Sequence, residues 1–133
     1  MTMHLMFHVG ADSVDSSGWR TKAAFGAIQL PGVGDRYITT HEKHKPYRDL
    51  SRSEKEILDN CVCPVCRKHN LSDLRKSFQL RALHNAWVFQ KEIEIAREMT
   101  NKGKLSKLHK ENLGEHNLFH VFQYANKLKA AKN

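Results

Sequence analysis

The chain has 133 residues, with 22 Lys and Arg against 14 Asp and Glu and a formal charge of +8. That length suits one domain with a core of its own and falls well short of the about 250 residues of a complete (β/α)8 barrel. Apolar residues at 40% and charged residues at 27% are the proportions of a folded soluble protein and argue against wholesale disorder.

Met1 to His8 is apolar but brief, and without a basic leader or a small-residue cleavage site it is not expected to be a signal peptide. Nor does any uncharged apolar run approach the roughly 18 residues of a membrane span, so no transmembrane helix is expected. His4 to His8 suits either a helix tail or a strand. Ala11 to Ser16, after Gly10, reads as a short buried strand whose end carries Asp15. Thr21 to Ala27 is small and helix-compatible. Ala27–Leu30 and Arg36–Thr39 flank Pro31-Gly32-Val33-Gly34-Asp35, and two β-prone runs around a Pro/Gly/Asp turn predict a hairpin. The Gly32-Val33-Gly34 triplet opens no helix, so it reads as a turn and not as a dinucleotide loop.

Thr40 to Leu50 is polar and reads as a loop. Ser51 or Ser53 then caps a short helix with Glu54 and Glu56 in its first turn, where the helix dipole favours anions, and the helix ends near Asn60. Asn70-Leu71-Ser72-Asp73 offers a second cap for a short helix to about Ser77. The longest helix is predicted from Gln79 to Thr100. Ala82, Ala86, Phe89, Ile93 and Ala96 recur on one helical face, Trp87, Val88, Ile95 and Met99 widen it, and Asn101 and Gly103 supply a stop. A last helix, about Glu115 to Ala130, puts Leu118, Val121, Phe122, Ala125 and Leu128 on one side. Charge is uneven along the chain. Residues 1–66 hold 8 basic and 8 acidic side chains, whereas residues 67–133 hold 14 and 6 and so carry the whole excess. A basic half is either a solubilising surface or the electrostatic footprint of a phosphate-rich partner.

The three cysteines stand at 61, 63 and 66 and nowhere else, an odd and tight set that makes a poor disulfide framework. Thiolates this close suit a metal site in a reducing compartment, which leads us to expect a cytoplasmic protein. Cys61-Val62-Cys63-Pro64-Val65-Cys66 can close on one ion if the backbone turns sharply, and Pro64 assists that turn. Tetrahedral zinc needs a fourth ligand, and Cys3His is a common structural set. His69, His84, His109, His116 and His120 are the candidates downstream. His69 lies three residues past Cys66 and would be cramped, while His84, near the start of the long helix, can present its ring to a preceding knuckle. His84 is therefore favoured. An iron–sulfur cluster fits less well, because a fourth cysteine is missing. A closed four-ligand zinc site leaves no position for water and serves structure, not Lewis-acid chemistry.

Gly10-Ala11-Asp12-Ser13-Val14-Asp15-Ser16, then Cys61-x-Cys63-x2-Cys66, then Leu83-His84-Asn85 in a long helix, resembles the C-terminal part of a tRNA-guanine transglycosylase. That family includes the queuine and archaeosine tRNA-ribosyltransferases and their DNA-modifying paralogues. The resemblance runs from residue 8 to about residue 100. It implies an α/β fragment: the last strand of a (β/α)8-type barrel, a β-hairpin, and a helical zinc-binding subdomain, mostly helical after residue 51. The corresponding division is 1–50 for the barrel-derived strand and hairpin and 51–133 for the zinc-binding subdomain with its basic C-terminal helices. It implies Zn2+ on Cys61, Cys63, Cys66 and His84. It also implies Asp15 as the nucleophile position, Asp12 as its strand companion, and Arg20 and Lys22 toward nucleic acid, tRNA or DNA. Gly18-Trp19-Arg20-Thr21-Lys22 departs from the Pro-Thr-Arg wording usual in this loop of the family, and Trp19 is a candidate to stack on a base or to serve packing.

The implied chemistry is sound in principle. A carboxylate at the end of a barrel strand attacks the ribose C1′ and holds a covalent intermediate while bases exchange, much as in retaining glycosidases. The family's earlier strands carry its base pocket and a second catalytic Asp, which these 133 residues do not supply, so no base exchange is expected from them alone. Exposed sheet edges and apolar faces would then invite a protein partner or self-association to complete the barrel. The alternative is a small zinc-stabilised module that binds nucleic acid through its basic half without catalysis, or a zinc-held helical scaffold for a protein partner.

Overall fold

The structure is a computed structural model that describes residues 17–40 and 48–101 and the helical positions 123, 124, 127, 128, 130 and 131. Residues 16–91 form one compact unit, and residues from 92 onward belong to a second. In order, the described elements are α1 (Gly18–Ala24), β1 (Ala27–Leu30), β2 (Gly34–Tyr37), α2 (Arg52–Asp59), α3 (Leu71–Lys76) and α4 (Phe78–Asn101). The barrel strand expected over 11–16, and with it Asp12 and Asp15, lies outside the described residues, as does most of the expected last helix.

Helix α1 starts and ends about three residues earlier than Thr21–Ala27 would have it. Gly26 sets its end. With φ +87 it turns the chain out of the helix, and a Cβ there would stand 2.6 Å from the carbonyl oxygen of Thr39. The chain then enters β1, which pairs antiparallel with β2 in the register Ala27↔Tyr37, Ile28↔Arg36, Gln29↔Asp35, Leu30↔Gly34. Pro31 and Gly32 (φ +72) form the corner, and the Val33 N–H donates to the Leu30 carbonyl at 3.1 Å. Proline followed by a left-handed glycine is the type II turn combination. Because that turn closes on Gly34, β2 begins two residues before the predicted Arg36. All four residues of β1 are buried, whereas β2 alternates between half-buried and exposed.

Both short helices carry reciprocal caps. At α2 the Ser51 hydroxyl accepts the Glu54 N–H at 3.2 Å and the Glu54 carboxylate accepts the Ser51 N–H at 2.8 Å. At α3, Asn70 and Asp73 do the same at 3.0 and 3.1 Å. Each arrangement satisfies two N–H groups that a helix start leaves without partners. Ser51, not Ser53, is the cap of α2.

The core of the 16–91 unit gathers Ile28 and Leu30 from β1, then Ile38, Leu50, Leu58, Cys61, Cys63, Val65, Leu74 and Val88. Three layers of chain meet there: the hairpin, the two short helices, and the first half of α4. On α4, Ala82, Val88, Ile93 and Ala96 are buried, and Ala86, Trp87, Phe89 and Met99 are half-buried, as the periodicity predicts. Ile95 is a correction: it is 41% exposed. It lies within about 20° of Val88 around the helix, and Val88 is buried, so its exposure goes with its place past Lys91, outside the 16–91 unit, and not with its angle. No described helix is long and apolar enough to cross a membrane.

Candidate metal centre

The Cys61–Cys66 segment follows α2 directly and folds back on itself through short backbone turns. The Asn60 N–H closes on the Glu56 carbonyl at 3.0 Å, the Cys61 N–H on Leu58 at 3.0 Å, and the Arg67 N–H on Cys63 at 3.2 Å. Within the turn the Cys66 N–H points at the Cys63 sulfur, 3.2 Å away. This wrapping puts three sulfurs within reach of one ring. His84 Nδ1 lies 4.0 Å from Cys61 Sγ, 3.4 Å from Cys63 Sγ and 3.3 Å from Cys66 Sγ, and the four ligand atoms all lie within 4.8 Å of one another. Zinc–sulfur bonds of about 2.3 Å and zinc–nitrogen bonds of about 2.0 Å in a tetrahedron put sulfur and nitrogen about 3.5 Å apart. The cluster therefore fits a single tetrahedral cation.

The other nitrogen of the ring fixes which end faces the sulfurs. His84 Nε2 donates to the Gln29 carbonyl of β1 at 2.9 Å, so in the neutral ring Nδ1 is the lone-pair nitrogen toward the thiols. Burial by itself pulls the imidazole down, but the Cys61 and Cys63 sulfurs and the Gln29 carbonyl outweigh it and push the ring up to about 9. Hydrogen bonds from Cys61 and Cys66 hold the Cys63 thiol far below the usual thiol range. Cys66 goes the other way, driven up by Cys61 and Cys63 and by its own burial. The Cys63 thiolate forms readily and Cys66 resists becoming a second, which is the behaviour of a crowded donor set that a cation relieves.

Sequence reasoning found all four of these residues. Its discarded ligand, His69, is exposed and sits 3.5 Å from Asp73 one turn along. His109, His116 and His120 lie outside the described residues. Asp12 and Asp15 lie outside the described residues, and Arg20 and Lys22 are not part of the metal cluster. Lys22 forms an exposed ion pair with Asp35 at 2.7 Å. Arg20 is exposed and makes no ion pair among the described residues. Trp19 is half-buried, and its main-chain carbonyl is engaged by Asn85.

Two residues that sequence reasoning passed over complete the site. Asn85 is fully buried next to His84. Its Oδ1 accepts the Gln29 N–H at 2.8 Å, and its Nδ2 donates to the carbonyls of Trp19 and Ala27 at 3.1 Å each. One turn earlier Arg81 donates to Ala23 at 2.9 Å, Leu74 at 2.9 Å and Arg75 at 3.0 Å, capping the C-terminal carbonyls of α1 and α3 together. The signal was available: Arg81, His84 and Asn85 are polar residues on the inward side of a helix whose neighbours Ala82 and Val88 are apolar.

The family described as queuine tRNA-ribosyltransferase matches residues 1–118. The chain belongs to that family. Curated relatives of this tRNA-ribosyltransferase family chain include the tRNA-guanine(15) transglycosylases of Pyrococcus furiosus and Pyrococcus abyssi, each 29% identical over 121 residues, and that of Thermococcus kodakarensis, 26% identical over 121 residues. Each match covers 87% of this chain and 18% of the relative, so the chain spans under a fifth of the length of these curated proteins. No solved structure matches this family member significantly.

Proposed function

We propose that the chain is the zinc-binding C-terminal part of a transglycosylase-like protein that exchanges bases in nucleic acid, and that these 133 residues on their own do not catalyse the exchange. The observation that carries the reading is the Cys61, Cys63, Cys66 and His84 cluster, closed within 4.8 Å, in a chain of the queuine tRNA-ribosyltransferase family. Zinc is the ion of choice because three sulfurs and one imidazole nitrogen form a soft tetrahedral set. Bound there, it would tie the turn after α2 to the start of α4 and contribute folding free energy. In this reading residues 1–50 derive from the barrel and 51–133 form the metal-binding helical part.

Asp15 takes the nucleophile position, with Asp12 beside it on the same strand. Its carboxylate would attack the ribose C1′, and the departing base leaves the sugar bonded to Asp15 until an incoming base displaces it. Arg20 is free to meet a phosphate, and Lys22 can do so by releasing Asp35, a surface pair of small energy. The excess charge of residues 67–133 suits the same nucleic-acid partner, tRNA or DNA. A span of 18% of the relatives' length supports the need for a protein partner, or for further chain, to supply the base pocket. A reducing compartment such as the cytoplasm suits three free thiols kept for a metal.

The test is incorporation of labelled guanine into tRNA or duplex DNA. The purified chain alone should give no turnover. When the missing barrel part is supplied, activity should appear and should be abolished by Asp15→Asn, with zinc content and nucleic-acid affinity unchanged. Turnover by the chain alone refutes the inactivity. Reconstituted activity that survives Asp15→Asn refutes the assignment of the nucleophile, and nucleic-acid binding without any reconstituted activity favours the non-catalytic module.

A further inference from the structure

We infer that Asn85 is a positioning residue that couples the metal site to β1 and α1, so that a bound ion orders the segment carrying Arg20 and Lys22. The inference rests on the zinc reading above and goes beyond it, because Asn85 is not a ligand. Consecutive residues of α4 grip one residue of β1: His84 holds the Gln29 carbonyl at 2.9 Å, and Asn85 holds the Gln29 N–H at 2.8 Å. The same Asn85 amide spends both its hydrogens on Trp19 and Ala27. Every link is buried or partly so, where a lost partner leaves a stranded polar group and is costly.

The geometry gives the coupling a direction. The ring of His84 can face the sulfurs only while Nε2 keeps the Gln29 carbonyl, and Gln29 stays in place while Asn85 holds its N–H. Trp19 lies in the first turn of α1 and Ala23 near its last, so Asn85 and Arg81 together fasten both ends of α1 to the helix that bears the metal ligand. An ion that pins His84 therefore pins β1 and α1. α2 is independent of this path at its N-terminus, which is closed by its own Ser51 and Glu54.

The full 133-residue chain tests this with zinc itself as the probe. Zinc affinity is measured by competition with a chromophoric chelator, site geometry by the ligand-field spectrum of the Co2+-loaded chain, and order by amide hydrogen exchange. Asn85→Leu, of similar volume and without polar atoms, should lower zinc affinity about 10- to 100-fold, alter the Co2+ spectrum and speed exchange at Gln29. Leu50→Ala, a truncation in the same core that removes no hydrogen bond of the ligands or of Gln29, should leave the Co2+ spectrum as in the wild type. Should Asn85→Leu not fold, the wild-type chain decides: zinc should slow exchange across residues 18–30 more than across α2. Wild-type affinity and spectrum in a folded Asn85→Leu chain, or equal protection of α2 and residues 18–30, would overturn the coupling while leaving the zinc reading standing. A wild-type chain that takes up no zinc overturns both.

Discussion

Helices α2 and α4 are held in opposite ways. α2 is started by residues three positions apart, the Ser51–Glu54 box, to which Arg36 of β2 adds one hydrogen bond, and Leu58 anchors it in the core. α4 has only a one-sided cap, the Ser77 hydroxyl accepting the Leu80 N–H at 3.3 Å, and its inward face in the 16–91 unit is polar as much as apolar. Arg81, His84 and Asn85 reach carbonyls and an N–H more than fifty residues earlier in the chain, besides the end of α3. A helix built from local signals can be replaced piece by piece at small cost. One built from long-range polar links fails at single positions, because each link strands several buried groups when it goes.

That contrast can be broken or sharpened by substitution. The largest effect is expected for Cys63→Ser, which removes a ligand and, with it, folding free energy supplied by the ion. The loss should be about 4 kcal/mol, with the metal-free 16–91 unit weakened but still folded, read by urea unfolding and by zinc content. A cooperative melt like that of the wild type would mean the apolar core suffices alone. Arg81→Met should cost about 3 kcal/mol in urea unfolding, because three carbonyls at two helix ends lose one shared donor.

Next comes Glu54→Gln, expected to cost about 1–2 kcal/mol at neutral pH. Glu54 is 7% exposed and takes a hydrogen bond from Arg36 as well as from the Ser51 N–H, and these partners, Arg36 foremost, hold its carboxyl below the usual range. Since the folded value is depressed, the stabilisation is present above the ordinary carboxylate range and is lost as pH falls through the folded value. The melting curves of the wild type and Glu54→Gln should therefore converge in acid. A constant gap at all pH values would assign the effect to shape, not charge. The smallest losses belong to the local devices. Asn70→Ala should cost about 1 kcal/mol by thermal melting. Arg52→Ala, which breaks an exposed pair with Glu56, should cost less than about 0.5 kcal/mol.

The same division decides how much of the molecule could be read from its residues. The starts of α2 and α3, the hairpin corner at Pro31-Gly32 and the extent of α4 follow from neighbours in sequence, and all were legible to within two residues. The metal cluster was legible because cysteines at 61, 63 and 66 have few other uses, and because a helix start suits the fourth ligand. Asn85 and Arg81 were given no role: their place on an apolar face marks them as inward polar residues, but their partners are backbone groups, among them those of Ala23, Trp19 and Gln29, which carry no side-chain signature. Ile95 was misjudged for another reason: it shares the angle of the buried Val88 but stands two turns further along α4, past the end of the 16–91 unit.

The grip of His84 and Asn85 on Gln29 has a consequence for assembly. β2 occupies one flank of β1, and on the other flank three main-chain groups are already engaged by side chains of α4. An extended segment from a second copy could not zip alongside β1 without first evicting the imidazole and the amide, and with them a ligand of the ion. Recruitment of a third strand there and binding of a metal by this cluster would be mutually exclusive, so a bound ion would guard this flank against templated growth.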